Sequence, residues 1–194
     1  MQFDQLKQEY LKCNKCPQLC DSRIQVVFGS GNEKAQILLV GEAPGSSEDK
    51  QGIPFCGMSG KILNELLASV GLSREDIFIT NTILCRPPKN RNPTKEEINN
   101  CKSRLDQLIE IMQPKVIVTI GNFATDRIIG KTGIKTIHGK VFDYNNIKVI
   151  PVVHPASYLY SGRNPELFKE MKDDFKVIAD LAQEEVSQKN LFEF

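Results

Sequence analysis

Four short runs of aliphatic and β-branched residues punctuate the chain: Gln36–Val40, Ile77–Thr80, Val116–Ile120 and Lys148–Val153. Each is too short for a buried helix and too uniformly apolar for a half-exposed strand, so each is read as a strand covered on both faces. Between them the period changes from continuous to helical. Ile62, Leu63, Leu66, Leu67 and Val70 share one helical face, as do Leu105, Leu108, Ile109 and Met112. Thr94 followed by Glu97 is a capping-box start for the second of these helices. A third helix is expected after Gly121. A long amphipathic one is expected from about Pro165 to Glu185, striped by Phe168, Met171, Phe175, Ile178 and Leu181.

Strands alternating with helices predict an α/β fold, a three-layer α/β/α sandwich around a four-stranded, mostly parallel sheet. Asn145-Asn146, between Val141–Asp143 and Ile147–Val149, reads as a hairpin turn adding a local antiparallel piece. Residues 1–186 are expected to form one domain and residues 187–194 a tail. In such folds ligands bind beyond the C-terminal ends of the strands. The residues there are Gly41–Gly45, Asn81, Gly121-Asn122 and His154-Pro155, and three of these four groups carry polar side chains able to do chemistry.

Composition narrows this picture only slightly. The 194 residues are 40% hydrophobic and 25% charged, ordinary values for a folded domain, with a formal net charge of +1. Neither a signal pattern nor an apolar run of membrane-spanning length is present, so a cytoplasmic, membrane-free monomer is expected. Arg86, Lys89 and Arg91 fall close together, and Lys12, Lys15 and Arg23 bracket a cysteine pair. Small basic patches on a neutral chain suit a DNA-acting protein that must also release its substrate.

The six cysteines change the picture more. In a cytoplasmic chain they argue for metal or isolated thiols rather than disulfides. Cys13 and Cys16 form a C-x-x-C pair, and Cys85 and Cys101 complete a set of four that suits zinc or a cubane iron–sulfur cluster equally. Cys20 is a spare thiol near the first pair, and Cys56 reads as a small apolar filler beside Phe55.

Four blocks in order give the chain a specific resemblance. The first runs from Cys13 and Cys16 through Arg23 to Val26–Gly29. The second is Gly41–Gly45 with Glu48-Asp49, Gly52, Pro54-Phe55, Gly57 and Gly60. The third is Thr80-Asn81, Cys85–Pro88, Asn90-Arg91 and Pro93, and the fourth is His154–Ser157. Together they resemble the family 4 uracil-DNA glycosylases, the iron–sulfur branch of their superfamily. Cys56 departs from the aliphatic residue usual in that family.

The resemblance implies monofunctional removal of uracil from DNA, initiating base excision repair. It implies a [4Fe–4S] cluster on Cys13, Cys16, Cys85 and Cys101, which ties an N-terminal segment to the domain. Phe55 would stack on a flipped base, and the Asn81 amide would read uracil N3–H and O4. His154 would donate to O2 as charge develops there, and Glu42 would be the catalytic carboxylate. Backbone groups at Gly41 and Ala43 would add contacts to the base, and Glu48 would close its C5 side. Segment Tyr158–Arg163 would fill the gap left by the base. His138, in an expected hairpin beside Gly139, reads as structural. Asn90–Pro93 holds no histidine that could trap uracil covalently. The rival readings are a catalytically inactive DNA-binding or polymerase-associated module of the same fold, and a glycosylase for another deaminated base. The tail residues Gln188, Leu191 and Phe192 resemble the short peptide with which repair proteins grip a sliding clamp.

Overall fold

A computed structural model describes residues 2–189. Its sheet has six strands: β1 (Ser30–Gly31), β2 (Ile37–Gly41), β3 (Ile77–Asn81), β4 (Val116–Ile120), β5 (Phe142–Tyr144) and β6 (Ile147–Val152). They lie in the order β1-β3-β2-β4-β6-β5. The four expected strands are its parallel centre, in register Gly41↔Asn81 between β2 and β3, and Ile120↔Val152 between β4 and β6. The expected count of four is corrected by two short antiparallel edges. β5 is the outer arm of the Asn145-Asn146 hairpin, both residues of which take positive φ. β1 is two residues long and leaves no hydrophobic period to read.

Nine α-helices are seen among the described residues, with one 3-10 turn at Pro88–Asn90. α1 (Phe3–Leu11) and α2 (Pro17–Ser22) precede the sheet, while α3 (Ser46–Gln51) and α4 (Met58–Ala68) link β2 to β3. α5 (Lys95–Met112) links β3 to β4. α6 (Asn122–Ile129) and α7 (Ile134–Ile137) follow β4, and α8 (Ala156–Tyr160) and α9 (Pro165–Lys189) follow β6. The Thr94–Glu97 capping box is formed in full, closing the otherwise unpaired first turn of α5. α9 runs past the expected end at Glu185. The side chain of Gln188, and Leu191 and Phe192, lie outside the described residues.

Both faces of the sheet are covered. Leu38, Val40, Phe78 and Ile117 pack against α1, α5 and α6 through Leu6, Leu105, Leu108 and Ala124. Leu39, Ile79, Val118 and Ile150 pack against α4 and α9 through Leu63, Leu66, Met171 and Phe175. That double burial is why the central strands are continuous apolar runs rather than alternating ones. His138 is not in a hairpin. It caps the end of α7, and its Nδ1 lies 2.8 Å from an Asp174 carboxylate oxygen on α9.

From β2 the chain moves to β3 on one side and returns to β4 on the other. This reversal opens a crevice at the C-terminal ends of the strands, where side chains from different strands converge.

Candidate active site

A cleft of about 480 Å³ occupies that crevice. Its walls include Glu42, Ala43 and Glu48 from the β2 side, Phe55 from the loop before α4, Asn81 from the end of β3, and His154 after β6. Sequence-predicted residues from four separate segments therefore meet. Gly41 is the exception, since it does not line the cleft. It lies behind, where a Cβ would come within 2.4 Å of Asn81 Oδ1 and 2.9 Å of the Phe55 ring. Its contribution is the side chain it lacks.

Asn81 is 2% exposed, and its Oδ1 has no hydrogen-bond partner among the described residues. An unsatisfied buried acceptor costs on the order of 1–3 kcal/mol. Asn81 is paired in register with Gly41, and the chain just after it is held as well: Thr82 N–H and Oγ1–H both donate to Gly41 O, and Ile83 N–H donates to Glu42 O. The strand-end Asn thus lines the cleft and carries a buried side-chain carbonyl with no partner among the described residues.

Phe55 takes a positive φ of 51°, unusual for a bulky residue. Arg74 holds that turn by donating to Pro54 O and Phe55 O, and Gly60 leaves it room, since a Cβ there would overlap Phe55 O. The Phe55 ring stacks on His154 at 5.7 Å between centroids. His154 Nδ1 accepts from Ala156 N–H at 3.1 Å. In the neutral ring the proton is therefore on Nε2, which becomes a donor. Burial lowers the His154 pKa, with Glu48 pulling the other way, and this favours the neutral ring. Burial alone raises that of Glu42. Glu48 Oε1 accepts from Gly57 N–H at 3.1 Å, closing the loop between α3 and α4.

The cysteines lie outside the cleft. Cys85 and Cys101 are buried, Cys13 and Cys16 half-buried, and all six cysteines are free thiols. Arg23 donates to Cys85 Sγ at 2.8 Å and to Cys13 O at 2.6 Å, and Asn100 donates to Cys16 Sγ at 3.4 Å. Burial pushes the Cys85 thiol up to about 11, against the pull of Arg23. Cys16 and Cys85 each feel the charge of Cys13 and Cys101, so the four converge on one region.

Three arginines of the basic segments are partly buried and have partners within the chain. Arg23 faces the thiols, Arg86 donates to Asn90 Oδ1 at 2.7 Å, and Arg91 makes a two-pronged pair with the buried Glu97. Sequence reading missed Arg74 and Arg104, and it matched Asp49 to a motif without finding its contact. Asp49 is fully buried and its Oδ1 accepts from Ile24 N–H, joining α3 to the segment that follows the cysteine pair. The rim also carries Ser59, Asn90, Asn92 and a largely exposed Tyr160, the part of the Tyr158–Arg163 segment that reaches the cleft. Tyr158 instead stacks on Phe168.

A doubly covered parallel sheet with a polar cleft at its switch point, and a separate thiol cluster, defines a narrow class. The Uracil DNA glycosylase superfamily model matches residues 28–176. The chain is 43% identical to the type-4 uracil-DNA glycosylase of Archaeoglobus fulgidus, over 99% of this chain and 98% of that one. It is 44% identical to the type-4 enzyme of Thermotoga maritima, over 85% of this chain and 86% of that one. A DNA polymerase of Bacillus phage SP01 shares 30% identity over 80% of this chain, which is 17% of the polymerase. The chain belongs to the uracil DNA glycosylase superfamily, in its type-4 family.

Proposed function

We propose that the protein removes uracil from DNA by hydrolysing the N-glycosidic bond of deoxyuridine, leaving an abasic site. The observation that carries this reading is the buried, unpartnered Oδ1 of Asn81 at the floor of the cleft. Uracil presents a donor at N3 and an acceptor at O4. An asparagine amide accepting from N3–H and donating to O4 therefore reads it, whereas cytosine presents the reverse pair. The base enters after leaving the duplex and stacks against Phe55. As the C1′–N1 bond breaks, its electron pair departs with N1 and charge develops at O2, where His154 Nε2–H donates. Glu42, ionised, orients the water that adds to C1′ and accepts its proton. Glu48 closes the C5 side, and main-chain groups at Ala43 add contacts. None of the lysines lines the cleft among the described residues, which favours hydrolysis over Schiff-base chemistry and strand cleavage.

Cys13, Cys16, Cys85 and Cys101 would hold a [4Fe–4S] cluster. The donor set is all sulfur. Among the described residues no three His, Cys, Asp or Glu are grouped tightly enough for one ion. An all-thiolate set suits zinc or an iron–sulfur cluster, and the likeness to the type-4 family favours the cluster. When bound, it would tie the N-terminal segment to α5 and the loop after β3.

Incubation with a uracil-containing oligonucleotide followed by hot alkali tests the activity. Cleavage at uracil is expected, and its absence in cluster-loaded protein overturns the reading in favour of an inactive module. That rival draws on the likeness to the phage polymerase. A parallel hypoxanthine substrate separates uracil from other deaminated bases. An absorbance shoulder near roughly 400 nm distinguishes iron–sulfur from colourless zinc. No described helix is long and apolar enough to cross a membrane, and the reading takes the protein as a cytoplasmic monomer. The tail from residue 187 would grip a sliding clamp through Gln188, Leu191 and Phe192. Deletion of residues 188–194 should abolish clamp affinity, and unchanged affinity removes that partner.

A further inference from the structure

Arg104 is the most unusual residue in the core. It is a fully buried arginine on α5, with 0% exposure, on the same helical stripe as Cys101, Leu105 and Leu108. Burying a guanidinium costs several kcal/mol even when it is paired, and an apolar side chain of similar volume usually does as well or better. Among the described residues no carboxylate compensates it by hydrogen bond or ion pair. Instead Nη2 donates to Asn81 O and Thr82 O, and Nη1 donates to Thr80 Oγ1 at 3.1 Å, while Nε has no partner.

The partners explain the choice of residue. On one side β3 pairs with β2 along its full length, through Gly41↔Asn81. On the other side β1 pairs only with Phe78 and Ile79, so the end of β3 has no neighbouring strand. Arg104 supplies donors to the main chain at that end. Its planar, multi-donor head spans three successive residues, which an ammonium or an apolar group could not do. Thr80 Oγ1 in turn donates to Phe28 O, and Thr82 binds Gly41 O from both its N–H and its hydroxyl. The residues that Arg104 holds are thus the ones that fix the main chain of Asn81 and its junction with the start of the Glu42 loop.

We propose that Arg104 is a positioning residue for base recognition, holding the end of β3 so that the Asn81 amide is fixed before uracil arrives. It touches neither base nor water, and acts through Asn81. One helical turn separates it from Cys101, so α5 carries both the thiol site and the clamp on the base-reading strand. The inference rests on Asn81 reading the base, and the test keeps the two separable.

The experiment compares wild type, Asn81→Ala, Arg104→Met, and the double variant. Each is checked for thermal stability and for its cysteine-site absorbance, then assayed on a uracil oligonucleotide in single turnover. Arg104→Met is expected to fold with the site loaded and to lose about a hundredfold in kcat/KM, the scale of a displacement of about 1 Å at a reacting group. In that background Asn81→Ala should cost little more, because the amide is already misplaced. A merely structural arginine gives additive losses instead. Arg104→Lys, which keeps a donor but not the fork, should fall between the two. Activity of Arg104→Met within twofold of wild type, or additive losses, overturns the proposal. So does failure of both the Met and Lys variants to fold with the site loaded, which makes Arg104 a stability residue. If Asn81→Ala alone leaves activity intact, the reading of Asn81 fails regardless of Arg104.

Discussion

Two cavities open at opposite ends of the same parallel strands, and the larger is the less equipped. At the N-terminal ends of β4 and β6, a cavity of about 600 Å³ is bounded by Asp106, Ile109, Glu110, Gln113–Lys115 and the Tyr144–Ile147 turn. Asp106 is already paired with Arg127, and Lys115 N–H is bonded to Gln36 O. None of the three buried polar atoms without a partner among the described residues lies there. The smaller cleft has the unpartnered Asn81 Oδ1, a carboxylate raised by burial and a histidine with one nitrogen committed. Volume measures the room available. Unmet polar demand identifies a site, because leaving a buried group unsatisfied costs stability that a ligand can return.

The sharpest way to break this contrast is to remove one carboxylate from each end. Glu42→Gln should lower the single-turnover rate by about 10²–10⁴, the range for a positioned acid–base group. His154→Ala should lower it by about 10²–10³, as loss of a developing-charge donor does. Glu110→Gln in the larger cavity should leave the rate within about twofold. Equal losses at Glu42 and Glu110 would dissolve the distinction between the two ends.

A smaller effect is expected from crowding the back of the cleft. Gly41→Ala places a Cβ against Asn81 Oδ1 and the Phe55 ring. It should cost about 10- to 100-fold in kcat/KM, mostly through KM, with the thermal midpoint changed far less than activity. Steady-state kinetics beside a melting curve separates the two, and parallel losses would make Gly41 a packing residue only.

These positions differ in how visible they were along the chain. Val116–Ile120 was read to the residue, because a strand buried on both faces has a simple continuous signature. Glu42, Asn81 and His154 were accessible through topology, since each follows a strand, and the motif resemblance supplied their roles. Phe55 depended on the resemblance alone. Arg74, Asp49 and Arg104 were not legible as site residues. Each binds backbone groups roughly twenty residues away in sequence, and main-chain carbonyls and amides carry no letter code. Arg104 left one trace, a charge on the apolar stripe of α5. The pairing within the basic segments was hidden for a related reason. Charges close in sequence read as an exposed surface, but Arg23, Arg86 and Arg91 had partners that only the fold supplies.

The pH dependence of activity should belong to the smaller cleft. Glu42 must be ionised, and burial holds its pKa above the ordinary 4.5. His154 must be neutral, and burial holds its pKa below the ordinary 6.5. Both requirements fail as pH falls, so the rate should rise with pH along an acid limb and level off near neutrality. Glu48 raises the His154 pKa, so Glu48→Gln should move the histidine part of that limb to lower pH. A limb that stays in place in Glu48→Gln, or a rate that falls from pH 5 to 7, would contradict the assigned protonation states.

Stability should follow a different curve, set by a pair that lines neither cavity. His138 and Asp174 join the end of α7 to α9, and Asp174 is also near Glu170 and Asp173. Burial raises the Asp174 pKa from 3.8 to about 6, outweighing the pull of His138. A carboxyl with a raised folded-state pKa binds more protons folded than unfolded between those two values. Its contribution to stability is therefore greatest in acid and declines as pH rises from about 4 to about 6. The decline amounts to roughly 2–3 kcal/mol for a shift of this size. Asp174→Asn keeps the shape and a hydrogen-bonding partner for His138 while removing the titration. Denaturant midpoints should then match wild type near pH 4 and exceed it by a modest margin at pH 7. The acid limb of activity should not move. If the two proteins keep parallel stability profiles across that window, burial does not raise the Asp174 pKa on folding and the carboxyl contributes nothing to the pH dependence of stability. If the activity limb moves with the stability profile, the division between catalytic cleft and scaffold does not hold.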